Sequence, residues 1–269
     1  MFAVGLDLAW SPRNPSGLAI VARAGGTWVL RGARADLETN RNIVDAIEAA
    51  VGEGPAVVAI DAPLVVPHRT RGREGDRMTT RVFGSYDAAV YPATRRTIGR
   101  YGGRRIWDLV ADLEARGLRQ APEFPRQSKD RVFFETYPHA AMIALFHLER
   151  VLKYKYRQGR SLEERRREFR ALAAHLRSLE AFDPPLTGVE AFLVEDLDGM
   201  RGARLKAYED RLDAILCAYI AAYYWTWGTE RCAVFGDLEG GYIVTPFRDD
   251  LAARVIRGSR VVTYRGRRL

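Results

Sequence analysis

Residues 2–60 constrain the fold more than any other stretch of the chain. "FAVGLDL" (2–8) reads as a short buried strand, and "SGLAIVAR" (16–23) and "TWVLRGARA" (27–35) read as two more, joined at Gly25-Gly26. Two such runs across a two-residue glycine link form a hairpin. In 40–51, "NRNIVDAIEAAV", Ile43, Ile47 and Val51 recur at helical spacing, with Asn40 as the expected N-cap. "AVVAI" (56–60) is an unbroken apolar run, the pattern of a strand buried on both faces. The order β-β-β-α-β places 56–60 parallel to 2–8, with the helix as a right-handed crossover.

Residues 62–128 mix proline, glycine and charge, and are expected to be a helical and loop insertion after the fourth strand. Within it "RRIWDLVADLEARG" (104–117) is an amphipathic helix with Ile106, Leu109, Val110 and Leu113 on one face and Gly117 at its end. "RVFFE" (131–135) is a further strand, and Pro138 opens a helix running to about residue 148. Ser161 and Glu164 form a capping-box pattern ahead of another helix. A long helix follows over roughly 203–226, and then a strand pair, "CAVFG" (232–236) and "GYIVTPF" (241–247). The expected class is α/β: a mixed sheet, antiparallel hairpin first and parallel strands after, flanked by helices. One domain should span 1–250, with a C-terminal extension over 251–269.

No apolar run approaches the roughly 18 residues that cross a bilayer. "MFAVGLDLAW" has no basic residues ahead of its apolar run, unlike a signal peptide. The two cysteines, Cys217 and Cys232, form neither a disulfide framework nor a metal spacing. A cytoplasmic protein away from membranes is expected. The net charge of +8 favours a polyanionic partner such as nucleic acid. The cations are mostly arginine, which codon bias in a GC-rich genome explains equally well.

Acidic residues then fall in unusual places. Asp7 interrupts the first buried strand near its end, Asp61 follows "AVVAI" directly, and Glu135 closes "RVFFE". Sites in open α/β sheets gather at the carboxyl ends of strands. If 2–8 and 56–60 are neighbours, Asp7 and Asp61 lie about 5 Å apart. On the long helix Asp210 and Asp213 are three apart and share a face. Each acid alone reads as a turn residue, a cap or part of a solvated face. Taken together in this order they read as one site. Crowded carboxylates raise one another's pKa, and a divalent cation relieves that. All-oxygen ligands suit Mg²⁺ or Mn²⁺, and a pair of such ions cleaves phosphodiesters. Lys129, Arg131, Lys153 and Lys155 are the expected nucleic-acid contacts, and Arg69, Arg71, Arg73 and Arg157 are further basic residues expected near this site. "KYKYR" (153–157) suits backbone tracking and base stacking, or else is a charged linker. His68 and His139 are either proton carriers or plain loop and cap residues.

"GLDLAW" (5–10), "IDAPL" (60–64), "ETYPHA" (135–140), "DRLDAILCA" (210–218) and "GDLEGGYIVTP" (236–246) together resemble the family of predicted RNase H-fold nucleases known as a domain of unknown function, number four hundred and twenty-nine. The resemblance runs from residue 1 to about 247. It implies an RNase H-like fold and a metal-dependent nuclease. Asp7, Asp61, Glu135 and Asp213 would be catalytic, and Asp210 would join them as a ligand to Mg²⁺ or Mn²⁺. Glu135 belongs to this family's own motif and departs from the wider superfamily pattern. Resolvase-like enzymes act as dimers, which leaves a homodimer open. The alternative is a non-catalytic nucleic-acid-binding or adaptor protein with a vestigial site. A sugar-kinase-type phosphotransferase ranks third, because Asp7 is followed by Leu8-Ala9-Trp10 and not by a phosphate loop.

Overall fold

A computed structural model describes residues 1–102, 104–194, 196–255 and 261–269. Three antiparallel strands open the chain: β1 (Phe2–Asp7), β2 (Ser16–Ala24) and β3 (Thr27–Leu37). The crossover helix α1 (Asn40–Val51) leads to β4 (Ala56–Ile60), which pairs parallel to β1. The cap of α1 lies one residue earlier than expected. Thr39 is extended, its hydroxyl accepts the Asn42 N–H at 3.0 Å, and the Asn42 side chain accepts the Thr39 N–H in return. Asn40 is already helical and its side chain donates to the Arg105 carbonyl instead.

The segment expected as an insertion forms α2 (Glu74–Phe83), α3 (Arg95–Gly99), α4 (Arg105–Ala115) and the short strand β5 (Arg119–Gln120), with residue 103 outside the described residues. Strand β6 (Arg131–Glu135) pairs parallel to β4, and α5 (Pro138–Phe146) and α6 (Leu162–Ser178) follow. Ser161 caps α6 in the expected capping box with Glu164. With β7 (Leu186–Thr187) at its far edge, the main sheet has seven strands in the order β5-β6-β4-β1-β2-β3-β7. This mixed sheet, hairpin first and parallel strands after, is consistent with an RNase H-like fold.

The strand pair near the C-terminus does not join it. After the long helix α7 (Gly202–Trp227), β8 (Cys232–Asp237) and β9 (Gly241–Pro246) belong to a second sheet, ordered β11-β10-β8-β9. Strand β10 (Val262–Tyr264) pairs with β8, and β11 (Arg267–Arg268) with β10, so the end of the expected extension is built into this sheet. Residues 256–260 of that extension lie outside the described residues.

Strand alternation divides the main sheet into two faces. Val4, Leu6, Val58, Ile60 and Phe133 pack with Ile43 and Ile47 of α1 and Ile106 and Leu109 of α4. Ala3, Val57, Ala59, Val132 and Phe134 pack with α7, whose Ala214, Ile215 and Ala218 are fully buried. Among the described residues no helix is long and apolar enough to cross a membrane.

Candidate active site at the strand ends

Register brings the first two acids together. Leu6 pairs with Ile60, and the Asp61 N–H donates to the Leu6 carbonyl at 2.8 Å, so Asp7 and Asp61 leave neighbouring parallel strands side by side. Asp7 follows Ala3 and Gly5, and Asp61 follows Val57 and Ala59, which puts both on the face covered by α7.

Two glycines let α7 lie on that face at backbone contact. A Cβ on Gly5 would fall 2.1 Å from the Ala214 carbonyl oxygen and from the Ala218 nitrogen. A Cβ on Gly17, paired with Asp7 across the hairpin, would fall 2.2 Å from the Asp210 carbonyl oxygen. This approach seats Asp210 and Asp213, both buried, against the strand-end pair.

The four acids divide electrostatically. Asp7 and Asp61 are partly exposed, and their carboxylates make no hydrogen bond or ion pair among the described residues. Burial, opposed by Lys155 and reinforced by Asp213, Asp210 and Asp61, pushes the Asp7 carboxyl well above the usual range. Burial, with Asp213 adding to it against Lys155, pushes Asp61 up to about 6. Asp213 and Asp210 are held by lysines. Lys155 Nζ lies 2.9 Å from Asp213 Oδ2, and the Tyr154 hydroxyl donates to Asp213 Oδ1 at 2.5 Å. Burial would raise the Asp213 pKa, but Lys155 and Tyr154 outweigh it and hold this carboxyl below its ordinary value. Lys206 Nζ sits 2.5 Å from Asp210 Oδ1 and 2.8 Å from Glu209 Oε1.

Glu135 does not join them. It pairs with Ile60, one residue short of Asp61, so it alternates with Phe134 and shares the parity of Phe133, on the α1 side of the sheet. Its Oε1 and Oε2 accept from Arg73 at 2.6 and 2.7 Å, and Oε2 also accepts the Leu64 N–H at 2.9 Å. Arg73 also binds Asp76 at 2.5 Å, and all three side chains are buried. Glu135, expected as a metal ligand, has its oxygens occupied by Arg73 and Leu64. Arg73, expected among the basic residues near the site, is the buried centre of this network. Gly241, at φ +90°, gives it room, since a Cβ there would meet Arg73 Cδ at 2.3 Å. The residue in phase with Asp61 is Thr136, whose N–H donates to the Ile60 carbonyl and whose hydroxyl donates to the Val244 carbonyl.

Lys129 and Arg131, expected as nucleic-acid contacts, lie at the other end of β6. Arg131 opens β6 and donates to the Gly52 and Gly54 carbonyls, at the amino end of the strand, and Lys129 precedes it. A five-residue strand separates that end from the acids, roughly 16 Å. Lys155 lies inside the acid site, and Lys153 pairs with Asp87 at 2.7 Å in the adjoining cleft. His139 Nδ1 is 3.3 Å from the Tyr137 hydroxyl, and its buried Nε2 has no partner. Burial drives its pKa down to about 3, so the ring is neutral. His68 is exposed in the loop before α2.

The strand-end pair offers only oxygen donors, two carboxylates unpaired and rich in unrelieved repulsion, which suits a hard cation. The full set is not laid out for one: among the described residues no group of three or more His, Cys, Asp or Glu side chains is arranged to hold a metal ion. Lys155 and Lys206 occupy Asp213 and Asp210, and would have to release them. The Lys155–Asp213 pair and the role of Tyr154 could not be read from sequence, whereas Lys206 and Asp210 stand four apart on one helix, the spacing of an ion pair; the small residues Gly5 and Gly17 in the first two strands were the available sign of a helix in backbone contact.

No curated protein matches this chain, and no solved structure matches it. A family model described as Protein of unknown function (DUF429) matches residues 5–239, and the chain belongs to that family.

Proposed function

We propose that this protein is a metal-dependent nuclease that hydrolyses phosphodiester bonds of nucleic acid at the Asp7–Asp61 pair. The observation that carries this reading is the pair itself: adjacent carboxylates on parallel strands, unpartnered, partly exposed, with pKa values raised by burial and by neighbouring carboxylates, Asp213 foremost. Asp7 and Asp61 would hold Mg²⁺ or Mn²⁺, with Asp213 and Asp210 completing the set once free of their lysines. A bound ion of this kind supplies Lewis acidity and an activated water. Lys155, released from Asp213, is placed to neutralise a phosphate beside the pair. The burial of Asp213 and Tyr154 keeps bulk water from the helix side of the site. The test is a cleavage screen with Mg²⁺ and Mn²⁺ over single-stranded, duplex and branched DNA and RNA, with Asp7→Asn as control. Cleavage by the wild type and none by the variant is the expected result. No cleavage of any substrate, or equal cleavage by both, rejects the reading.

A second reading has its own support. Lys155–Asp213 and Lys206–Asp210 already neutralise two of the four acids without any ion. A nucleic-acid-binding or adaptor protein with a vestigial site would keep such pairs. Nucleic-acid binding unchanged by chelator, with no cleavage and no thermal response to metal, would favour it.

A further inference from the structure

Two clefts meet beside the acid site. The first is lined by Trp10, Asp61, Pro63, Tyr91 and Tyr137. The second contains Tyr137, Lys153, Lys155, Tyr156, Arg157 and Arg160, and holds about 470 Å³, within the roughly 300–1,000 Å³ of ligand sites. Tyr137 borders both, so they form one path past Asp61.

The path is aromatic at both ends and cationic at one. Large hydrophobic side chains are seldom left open to water without a role when they cluster around a polar site. Three exposed tyrosines do so here. Tyr156 is 74% exposed beside the second cleft, Tyr91 is 53% exposed in the first, and Tyr101, 46% exposed, packs edge-on against Trp10 at 5.7 Å. Arg165 holds the Tyr156 ring, its Cζ 5.8 Å from the ring centroid, so the ring is anchored by a cation while most of it faces water. Arg157 beside it is exposed and makes no ion pair among the described residues. Arg160 spends its hydrogen bonds on the Lys153 and Lys155 carbonyls and, among the described residues, makes no ion pair, though Glu168 and Glu164 lie near enough to act on it. Cations without a bonded carboxylate, alternating with an anchored open ring, match a strand that offers phosphates and accessible base faces in turn. A duplex offers the phosphates but keeps its base faces stacked.

We infer that the protein binds single-stranded nucleic acid along this path, one base stacked on Tyr156, the phosphates beside it on Arg157 and Arg160, and the strand passing Asp61 toward Trp10 and Tyr91. The inference rests on the nuclease reading for the identity of the site as a nucleic-acid site, but not on catalysis.

The experiment is fluorescence anisotropy of the full chain with a labelled single-stranded 20-mer and a blunt duplex of equal length, in chelator, so that no cleavage intervenes. Tighter binding of the single strand is expected. Tyr156→Ala should weaken it about 5- to 150-fold, the range for one stacked base, with Tyr156→Phe close to wild type. Arg157→Ala should lower the slope of log affinity against log salt by about 0.7, one phosphate contact on a single strand. Both residues are exposed, so the fold is retained. Equal or tighter duplex binding, no binding of either, or indifference to Tyr156→Ala overturns the inference. Failure of the nuclease reading looks different: single-strand binding that depends on Tyr156, with no cleavage when Mn²⁺ is restored.

Discussion

Lys155 Nζ lies 2.9 Å from Asp213 Oδ2, while Asp7 and Asp61 on the neighbouring strands have no such partner. Two lysines therefore serve four carboxylates: Lys155 goes to Asp213, the most buried of them, and Lys206 to Asp210. The acids left over carry the electrostatic strain of the site, and that strain gives measurable consequences.

The first concerns pH. Asp61 titrates at about 6 in the folded chain, against an ordinary value near 4. The folded state thus binds more protons than the unfolded state between about 4 and 6, and stability falls as pH rises through that window. His139, neutral down to about 3, acts with the opposite sign over the whole of that range. Asp213, with its lowered pKa, acts with that opposite sign too, but only below about 4. The difference between wild type and Asp61→Asn isolates the one group. In chelator, Asp61→Asn should be more stable than wild type at pH 7, by at most about 3 kcal/mol, and the gap should close by pH 4. Denaturant titrations at both pH values measure it; a wild type more stable than the variant at pH 7 refutes the strained pair.

Metal should relieve the same strain. A ligand of the native state at a hundredfold excess over its Kd stabilises by about 2.7 kcal/mol, which is roughly 5–10 °C for a chain of this size. Mg²⁺ or Mn²⁺ should raise the melting temperature of the wild type by that order, and the shift should vanish in Asp7→Asn. A thermal scan with metal and with chelator decides it, and an equal shift in the variant would remove Asp7 from the ligands.

The two helix acids should separate. Asp213 is fully buried and holds both the Tyr154 hydroxyl and Lys155, whereas Asp210 pairs with Lys206, which is half in solvent. Asp213→Ala leaves a buried hydroxyl without its charged acceptor, a loss of about 1–3 kcal/mol, while Lys206 in Asp210→Ala still has Glu209. Denaturant midpoints without metal should therefore fall further for Asp213→Ala. In cleavage assays the same variant should lose more, with only Asp210→Ala partly rescued by raised Mn²⁺. Equal losses in both measurements would mean that the two acids share one role.

Much of this arrangement was legible because strand periodicity and helix periodicity leave strong marks. "AVVAI" and "RVFFE" are β4 and β6 with the bounds their apolar runs suggest, and Asp7 and Asp61 meet because both close strands of one parallel pair. The position of Glu135 was less legible. Being last in a strand says which end a side chain occupies, but only the in-register partner says which face, and Glu135 aligns with Ile60 rather than Asp61. Lys129 and Arg131 are near Glu135 in sequence but not in space, since a strand carries its two ends far apart. The second sheet was hidden because "CAVFG" and "GYIVTPF" look alike whether they extend one sheet or start another; pairing of β8 with β10, near the end of the chain, decides it. Lys206 and Asp210, four apart on one helix, carry the spacing of an ion pair, but Lys155 was illegible as the partner of Asp213 because a long flexible cation on a loop gives no periodic sign of where its tip will rest.

The glycine contact admits a direct test. Gly5→Ala places a methyl group 2.1 Å from backbone atoms of Ala214 and Ala218, and neither β1 nor α7 can yield without moving the core. Overpacking of this kind costs about 1–3 kcal/mol or more. Gly26→Ala, where nothing lies within 4 Å, should be near neutral. The denaturant midpoints of the two variants compare them. If Gly5→Ala folds with unchanged stability, α7 does not lie on β1 at backbone contact, and Asp210 and Asp213 lose their route to the strand ends.

Glu135 gives the sharpest separation of structure from chemistry. In the Arg73–Glu135–Asp76 network, removing one charge leaves another buried without compensation, a loss of about 3–5 kcal/mol when a full partner is deleted. Glu135→Gln keeps the shape and one acceptor oxygen but removes the charge that faces Arg73, so its loss should be smaller, while Arg73→Ala should show the larger figure. Because Glu135 lies one residue out of phase with Asp61, neither variant should change the affinity for Mn²⁺ at temperatures where the protein remains folded. Calorimetric titration of Mn²⁺ into wild type and Glu135→Gln, beside their denaturation curves, tests both halves. Lost metal affinity with unchanged stability would return Glu135 to the ligand set and place the network around Arg73 as its support.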